Sequence, residues 1–469
     1  MNIRAIISNV SCFVLVLILS LVFITNTVSA ETKTFIKEYT YQASDEDSKN
    51  SSRTIALREV KRLILEELGT YLESTTEVKN FKLTKDQIVA LTAGIVQTEL
   101  IEEKWNTENL KYWLKAKITA DSSEVIRSIN SLRKDREKVK ELEGLRKKSE
   151  ELLKENERLN KELKTAKGDA KQKAAKAYNR NIDDLNATEW LEKGNKLGTS
   201  GNYIDAEKAY SKAIELNPQD AYAYSNRGVI YDKLGNTQQA INDYNRAIEL
   251  NPQLAYAYYN RGVTYGEIGN YQQAIIDYNK AIELNPNYAA AYVNVGCVYY
   301  NLGDYRQAIK DYNKAIELDP QYAKAYNNRG ATYGELGNYR QAIKDYNKAI
   351  ELNPQLVDAY GNRGVAYKKL GSYQQAVNDY NKAIELNPQD TDTCVNRGNA
   401  YVALGNYQQA IKDFNKAIEL NPQDALAYYS RGIAYAKLGN KRFVDDFKIA
   451  ARFGDKAAQD FLRSKGIEW

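Results

Sequence analysis

Apolar residues along this chain change their spacing from segment to segment, and each change marks a different kind of element. An unbroken run, "CFVLVLILSLVFI" from Cys12 to Ile24, follows Arg4 and gives way to the small residues of "TNTVSA". A basic start, a short apolar centre and a small-residue end make the layout of an export signal, residues 1–30, with cleavage expected after Ala30. The run is short for a membrane span, and an uncleaved anchor is the alternative. Strict alternation then appears in "TFIKEYTYQ" (Thr34 to Gln42) and predicts a strand. From Arg53 the spacing becomes helical, with Ala56, Val60, Leu63, Ile64 and Leu68 on one face as far as Gly69. "TKDQ" from Thr84 is a capping box, and it opens a second helix that should end near Gly94. "IVQTELIEEKW" and "KYWLKAKIT" predict two strands joined at "NTEN", the second placing Tyr112, Leu114, Ala116 and Ile118 on one face. Residues 31–121 therefore read as a small α+β domain.

Between Ser122 and Lys167 the chain is charged, has no proline and carries a single glycine, Gly144. Leu145, Leu152 and Leu159 recur at the heptad interval, with Ser149, Asn156 and Leu163 on the other seam position, which predicts a coiled-coil helix over 122–167. Ile129, Leu132 and Val139 are out of phase with that seam, so the pattern breaks near Leu142. Two arrangements fit: a parallel homodimer in which Asn156 fixes the register, and a solvated helix that spaces two domains. Residues 168–186, containing "GDAKQKAAKAYNRN", read as a semi-flexible linker.

From Ala187 a single pattern repeats, starting again at Ala221, Ala255, Ala289, Ala323, Val357 and Thr391, and in altered form at Ala425. Each unit has Gly at its eighth position (Gly194 through Gly432), and the seven full units have Ala at the twentieth (Ala206 through Ala410) and an aromatic at the twenty-fourth (Tyr210 through Phe414). Ala at the twenty-seventh position and Pro at the thirty-second (Pro218 through Pro422) complete the pattern. The chain resembles the tetratricopeptide repeat family on these residues. The resemblance implies a mainly α fold: a right-handed α-solenoid of helical hairpins over 187–454, preceded by the coiled-coil helix and the α+β domain. Physical chemistry points the same way. Each unit reads as a helix, a break at Gly235 or its equivalents suited to a left-handed cap, a second helix, and an Asn-Pro stop. A lone hairpin cannot bury its apolar face, so the units must stack, and residues 455–469 can cover the final one. The tyrosines are expected mostly in the core. The N-terminal domain resembles the small α/β domains of bacterial envelope proteins such as the flagellar assembly protein T.

Composition removes several classes of function. The 469 residues carry a formal charge of only +5, which leaves no call for a nucleic-acid partner, and there is no histidine to serve as base or metal ligand. Cys297 and Cys394 lie about three repeats apart, too far to bond to one another, and are expected as buried free thiols. No phosphate-binding loop, nucleophile elbow or spaced ligand set is present. Neither a cofactor nor an enzymatic activity is expected.

The resemblance places the second, fifth, sixth, ninth, twelfth and thirteenth positions of each repeat on the concave wall. Asparagine holds the sixth position in six successive units: Asn226, Asn260, Asn294, Asn328, Asn362 and Asn396. Amides donate and accept, so such a row can pair with the backbone of an extended peptide whatever its sequence. A similar asparagine ladder lines the repeats of the O-linked N-acetylglucosamine transferase. Solvated amides copied by duplication are the other reading. Arg227, Arg261, Arg329, Arg363 and Arg397 at the seventh position can bridge Asp243, Asp277, Asp345, Asp379 and Asp413 on the second helix. Repeat four breaks this pairing, with Val295 opposite Asp311. The other lining residues, among them Tyr259, Lys324, Asp358, Lys368 and Asp392, show no single sign of charge. A mostly apolar ninth position makes the dicarboxylate clamp of chaperone-binding family members unexpected. The reading is an exported adaptor of the periplasm or cell envelope that holds a protein or peptide partner in the groove, with membrane proximity through the envelope. The alternative is an oligomeric envelope component whose contacts come from the N-terminal domain and coil.

Overall fold

In the computed structural model, residues 32–43, 47–79, 81–93, 95–132 and 136–469 are described; the segment 1–30, expected to be an export signal, lies outside them. The chain divides into two units, one ending at Pro252 and one running Gln253–Trp469.

In the first unit, β1 (Thr32–Gln42), β2 (Glu99–Asn106) and β3 (Lys111–Asp121) form an antiparallel sheet in the order β1-β3-β2. The alternation expected in β3 is realised, for Tyr112, Leu114, Ala116 and Ile118 are all fully buried. They pack with Ala56, Val60, Ile64 and Leu68 of α1 (Lys49–Ser74). That helix runs through Gly69 instead of ending there. A Cβ at Gly69 would come within 2.3 Å of Val89, so this glycine is a point of close approach between helices and not a cap. A short turn of helix, α2 (Thr76–Lys79), follows, and then α3 (Lys85–Ala93). The capping box of α3 forms as expected: Thr84 N–H donates to Gln87 Oε1 at 3.0 Å and Gln87 N–H to Thr84 Oγ1 at 3.2 Å.

The charged region becomes α4 (Ser122–Leu132) and α5 (Arg136–Thr165), and the expected linker is helical. Residues 168–186 belong to α6 (Gly168–Thr199), one helix that also supplies the first helix of repeat one. The reason is an apolar stripe. Ala174, Tyr178, Ile182 and Leu185 of α6 bury against Leu153, Leu159 and Leu163 of α5, so α5 and α6 form a hairpin. The seam expected to meet a second copy or solvent is therefore covered by the chain's own α6. Asn156 is buried there, and its amide has no partner among the described residues. Leu145 packs farther along, against Leu191, Ala223 and Ile230 of the first two repeats.

The repeats form a solenoid of helical hairpins. In the second unit the first (A) helices are Ala255–Glu267, Ala289–Asn301, Ala323–Glu335, Val357–Lys369, Thr391–Ala403 and Ala425–Lys437. Each is followed by a B helix, from Tyr271–Leu284 to Phe443–Arg452, and Lys456–Ser464 packs Ala458 and Leu462 against the last of these. The break between helices is a Schellman turn. In repeat five Gly337 takes φ +73, and Asn338 N–H donates to Tyr333 O at 2.8 Å. The glycine at the eighth position does a different job. A Cβ on Gly364 would lie 2.6 Å from the Tyr380 ring, so its absence lets the B-helix tyrosine slide beneath the A helix.

Candidate functional site

Two polar rows run along the A helices, and they face different neighbours. The seventh-position arginines point toward the B helices. Arg227, Arg261, Arg329, Arg363 and Arg397 each make two hydrogen bonds to the expected aspartate, with distances between 2.6 and 2.9 Å. The eighth unit, one residue shorter, keeps the same fork between Arg431 and Asp446 at 2.7 and 2.8 Å. The remaining nitrogen of Arg329, Arg363, Arg397 and Arg431 reaches an asparagine of the preceding B helix (Asn313, Asn347, Asn381 or Asn415). These arginines are structural rivets that tie three helices together. Burial opposes their charge, but the paired aspartate outweighs it and raises the pKa of each of the five.

Repeat four lacks the rivet. Asp311 is buried and is held by Gln307 Nε2 at 3.1 Å. Burial pushes its carboxyl up to about 6, the Gln307 hydrogen bond and Lys310 offsetting only part of that shift.

The sixth-position asparagines face away from that row, and they do not share one environment. Asn226 is buried and already engaged: its Nδ2 donates to Glu141 Oε1 of α5 at 2.7 Å and to Asn195 Oδ1 at 3.0 Å. Nearby, Arg58 and Lys61 of α1 clasp Glu192, the sixth residue of repeat one. Burial works against this carboxylate, but Lys61 and Arg58 prevail and bring it to about 2. The N-terminal domain and α5 thus occupy the wall of the first two repeats.

In the second unit the row is half-buried and open. Asn260 Nδ2 has no partner among the described residues. Asn294 Nδ2 donates to Tyr259 Oη at 3.2 Å and Asn328 Nδ2 to Cys297 Sγ at 3.2 Å. Asn362 Nδ2 donates to Asn327 Oδ1 at 3.3 Å, and Asn396 Oδ1 accepts from Lys368 Nζ at 2.6 Å. Successive repeats are therefore linked through these amides. Asn362 Oδ1 and Asn396 Nδ2 stay without a partner among the described residues. Asn328, Asn362 and Asn396 border one cleft of about 590 Å³, with Asn327, Tyr380 and Cys297 also on its lining.

The tyrosines prove to have two ends. Their rings fill the core, as expected, but the eighth-position glycine lets their hydroxyls emerge beneath the A-helix wall. Tyr210 donates to Asn195 Oδ1 at 2.8 Å, and Tyr312 donates to Cys297 Sγ at 3.5 Å. Where Tyr380 rises, the ninth position is Val365, and its buried Oη has no partner among the described residues. Burial, followed by Asp379, raises this phenol further, so it keeps its proton. The ring periodicity was visible in the sequence; the position of the hydroxyl depends on what stands at the ninth place of each unit. Cys297 is half-buried at this wall instead of buried like Cys394, and both are free.

Among the described residues no group of three or more His, Cys, Asp or Glu is placed to hold a metal ion, and no helix is long and apolar enough to cross a membrane.

Comparison with known proteins adds a family. Models of the TPR repeat match residues 194–235, 296–337 and 398–439. Models of the tetratricopeptide repeat match 221–254, 255–288, 323–356 and 357–390, and a further one matches 277–310. The Hsp70-Hsp90 organizing protein 1 of Glycine max is 50% identical over 54 residues, which is 12% of this chain and 9% of that protein. The Hsp70-Hsp90 organizing protein 3 of Arabidopsis thaliana is 48% identical over 54 residues, 12% of this chain and 10% of that protein. The chain spans about a tenth of the length of the curated relatives it matches. Among solved structures, YrrB, described as a TPR protein with an unusual peptide-binding site, is 26% identical, covers 40% of this chain and 97% of its own, and gives a TM-score of 0.35. A tetratricopeptide repeat protein from Parabacteroides merdae is 24% identical, covering 53% of this chain and 98% of its own, with a TM-score of 0.43.

Proposed function

Because the chain belongs to the tetratricopeptide repeat family, whose arrays are protein–protein interaction adaptors and typically non-enzymatic, we propose that its second unit holds an extended segment of a partner protein along the A-helix wall. The observation that carries this is the alignment of Asn328, Asn362 and Asn396 on one cleft, with Asn362 Oδ1 and Asn396 Nδ2 free to pair. A peptide N–H can donate to the first and a peptide carbonyl can accept from the second, a pairing indifferent to side chains. The first two repeats do not take part, since Glu141 already satisfies Asn226. They and the N-terminal domain act as the mount from which the open repeats are displayed.

The setting is the cell envelope. Support for it comes from the export signal read at residues 1–30 and from the envelope-type character of the N-terminal domain. Periplasmic proteins released by osmotic shock should include the mature chain; its retention with ribosomes and cytosolic enzymes would remove the envelope from the proposal.

The ladder itself is tested by replacing Asn294, Asn328 and Asn362 together with Ala in the full chain. Capture of a verified partner from envelope extract should fall at least about tenfold at a temperature where both proteins are fully folded, the melting temperature itself dropping modestly with the three inter-repeat hydrogen bonds. Undiminished affinity would reject the ladder.

A further inference from the structure

The same cleft carries a charge that the ladder does not explain. Asp358, Asp390 and Asp392 line it, whereas no lysine or arginine does. Asp358 and Asp392 are exposed and make no ion pair among the described residues. Asp390 caps a helix, accepting from Thr393 N–H at 3.1 Å and from Thr393 Oγ1 at 2.6 Å, hydrogen bonds that leave its negative charge uncompensated. Lys368, at the edge of the cleft, donates to Asn396 Oδ1 at 2.6 Å and keeps its positive charge, so three carboxylates stand against one ammonium and the balance stays negative.

A second observation is independent of the carboxylates. Tyr380 is fully buried, borders the cleft, and offers an Oη with no partner among the described residues. An unmatched buried hydroxyl costs about 1–3 kcal/mol, so a ligand group that pairs with it recovers that penalty. Val357, Val365 and Ala331 on the same lining supply an apolar surface along which an aliphatic stem can lie.

Resting on the groove reading above, we propose that this cleft receives an arginine or lysine side chain projecting from the partner's extended segment. Asp358 and Asp392 hold the cation, the Tyr380 oxygen accepts one of its hydrogen bonds, and the free ladder amides hold the flanking backbone. A cation donor is the occupant that charge complementarity selects, for an acidic segment would meet three carboxylates. The partner is thus a protein with an accessible basic residue in an unstructured stretch.

The test uses the full chain and fluorescence anisotropy with four labelled peptides of a common Gly-Ser-Ala frame, carrying at their centre two arginines, two lysines, two glutamines or two glutamates. The basic peptides should bind about tenfold tighter than the glutamine peptide, and the glutamate peptide weakest. Raised salt should shrink the difference. Replacing Asp358 and Asp392 together with Asn should remove the advantage of the basic peptides and leave the glutamine peptide unchanged. Both sites are exposed, so folding is preserved. Tyr380→Phe should weaken the basic peptides a few-fold without lowering the melting temperature, since it deletes an unpaired buried hydroxyl. Equal binding of arginine and glutamine peptides, with loss of both in Asn328→Ala/Asn362→Ala, would overturn the cation site while leaving the groove. Charge preference that survives the Asp358/Asp392 double variant would overturn the assignment to these residues. No binding by any of the four would remove groove and cation site together.

Discussion

Arg329 grips Asp345 with two parallel hydrogen bonds, Nε to Oδ2 at 2.8 Å and Nη2 to Oδ1 at 2.7 Å, while its third nitrogen reaches Asn313 of the preceding repeat at 2.6 Å. Asp345 is 4% exposed. Removing the arginine leaves that carboxylate buried without a counter-charge. Arg329→Ala should therefore cost about 3 kcal/mol in chemical denaturation. Arg329→Lys should recover little of it, because an ammonium cannot make the planar fork.

Repeat four offers the converse experiment. Asp311 is an acid whose folded pKa, about 6, lies above its ordinary value of 3.8. The native state thus keeps a proton that the unfolded state has released, so the contribution of Asp311 to stability is fully present below pH 3.8 and is lost as pH rises toward 6. Asp311→Asn should flatten the pH dependence in this window and raise stability at pH 7 by about 1 kcal/mol, the partial solvent access of the site having been allowed for. Val295→Arg should have the same sign by supplying the missing rivet. A melting series from pH 4 to pH 8 checks both.

Glu192 has the opposite sign. Its folded pKa of about 2 lies below the ordinary 4.5, so the stability that Arg58 and Lys61 confer through it is present above pH 4.5 and is lost as pH falls toward 2. Glu192→Gln should lower stability at neutral pH by about 1–3 kcal/mol and remove that part of the acid sensitivity. The measurement is urea denaturation of the full chain, followed at the transition of the N-terminal domain.

Glycine-to-alanine changes should split by location. By helix propensity alone Gly364→Ala would stabilise by about 1 kcal/mol. The new Cβ, however, would meet Tyr380 ring atoms at 2.6, 2.9 and 3.0 Å. Overpacking of this kind costs about 1–3 kcal/mol, so the net effect should be destabilising. Gly144 in α5 has nothing within 4 Å, and there Gly144→Ala should stabilise by about the full propensity difference. Thermal melts of the two variants, compared with the parent, decide it.

The arginine rivets were legible because both partners recur at fixed places in five of the seven full units, and even the Val295 gap was readable as a break in a column. The α5–α6 hairpin was not. Its seam residues Leu159 and Leu163 repeat like those of a dimer, and a heptad pattern does not say which helix will cover it. The covering stripe, Ala174, Tyr178, Ile182 and Leu185, is spaced at helical intervals but sits among lysines and asparagines that made the stretch read as a linker. The ladder separated into an engaged Asn226 and an open row for a related reason: its partner Glu141 lies 85 residues away in sequence, and no local rule connects the two. The acidic cleft was hidden because Asp358 and Asp392, read one position at a time, were averaged against Lys324 and Lys368.

The continuity of α6 also restricts how such a chain can change in evolution. A helix that begins in the N-terminal hairpin and ends as the opening helix of repeat one has no seam at Ala187 where a unit could be copied or lost. Recombination there would cut a helix in half and bare Leu185 and Leu191. Units bounded by Asn-Pro stops on both sides have clean ends. The array is therefore free to lengthen or shorten downstream of its second unit, the last one that α5 engages, which leaves the mount fixed while the reach of the open wall varies.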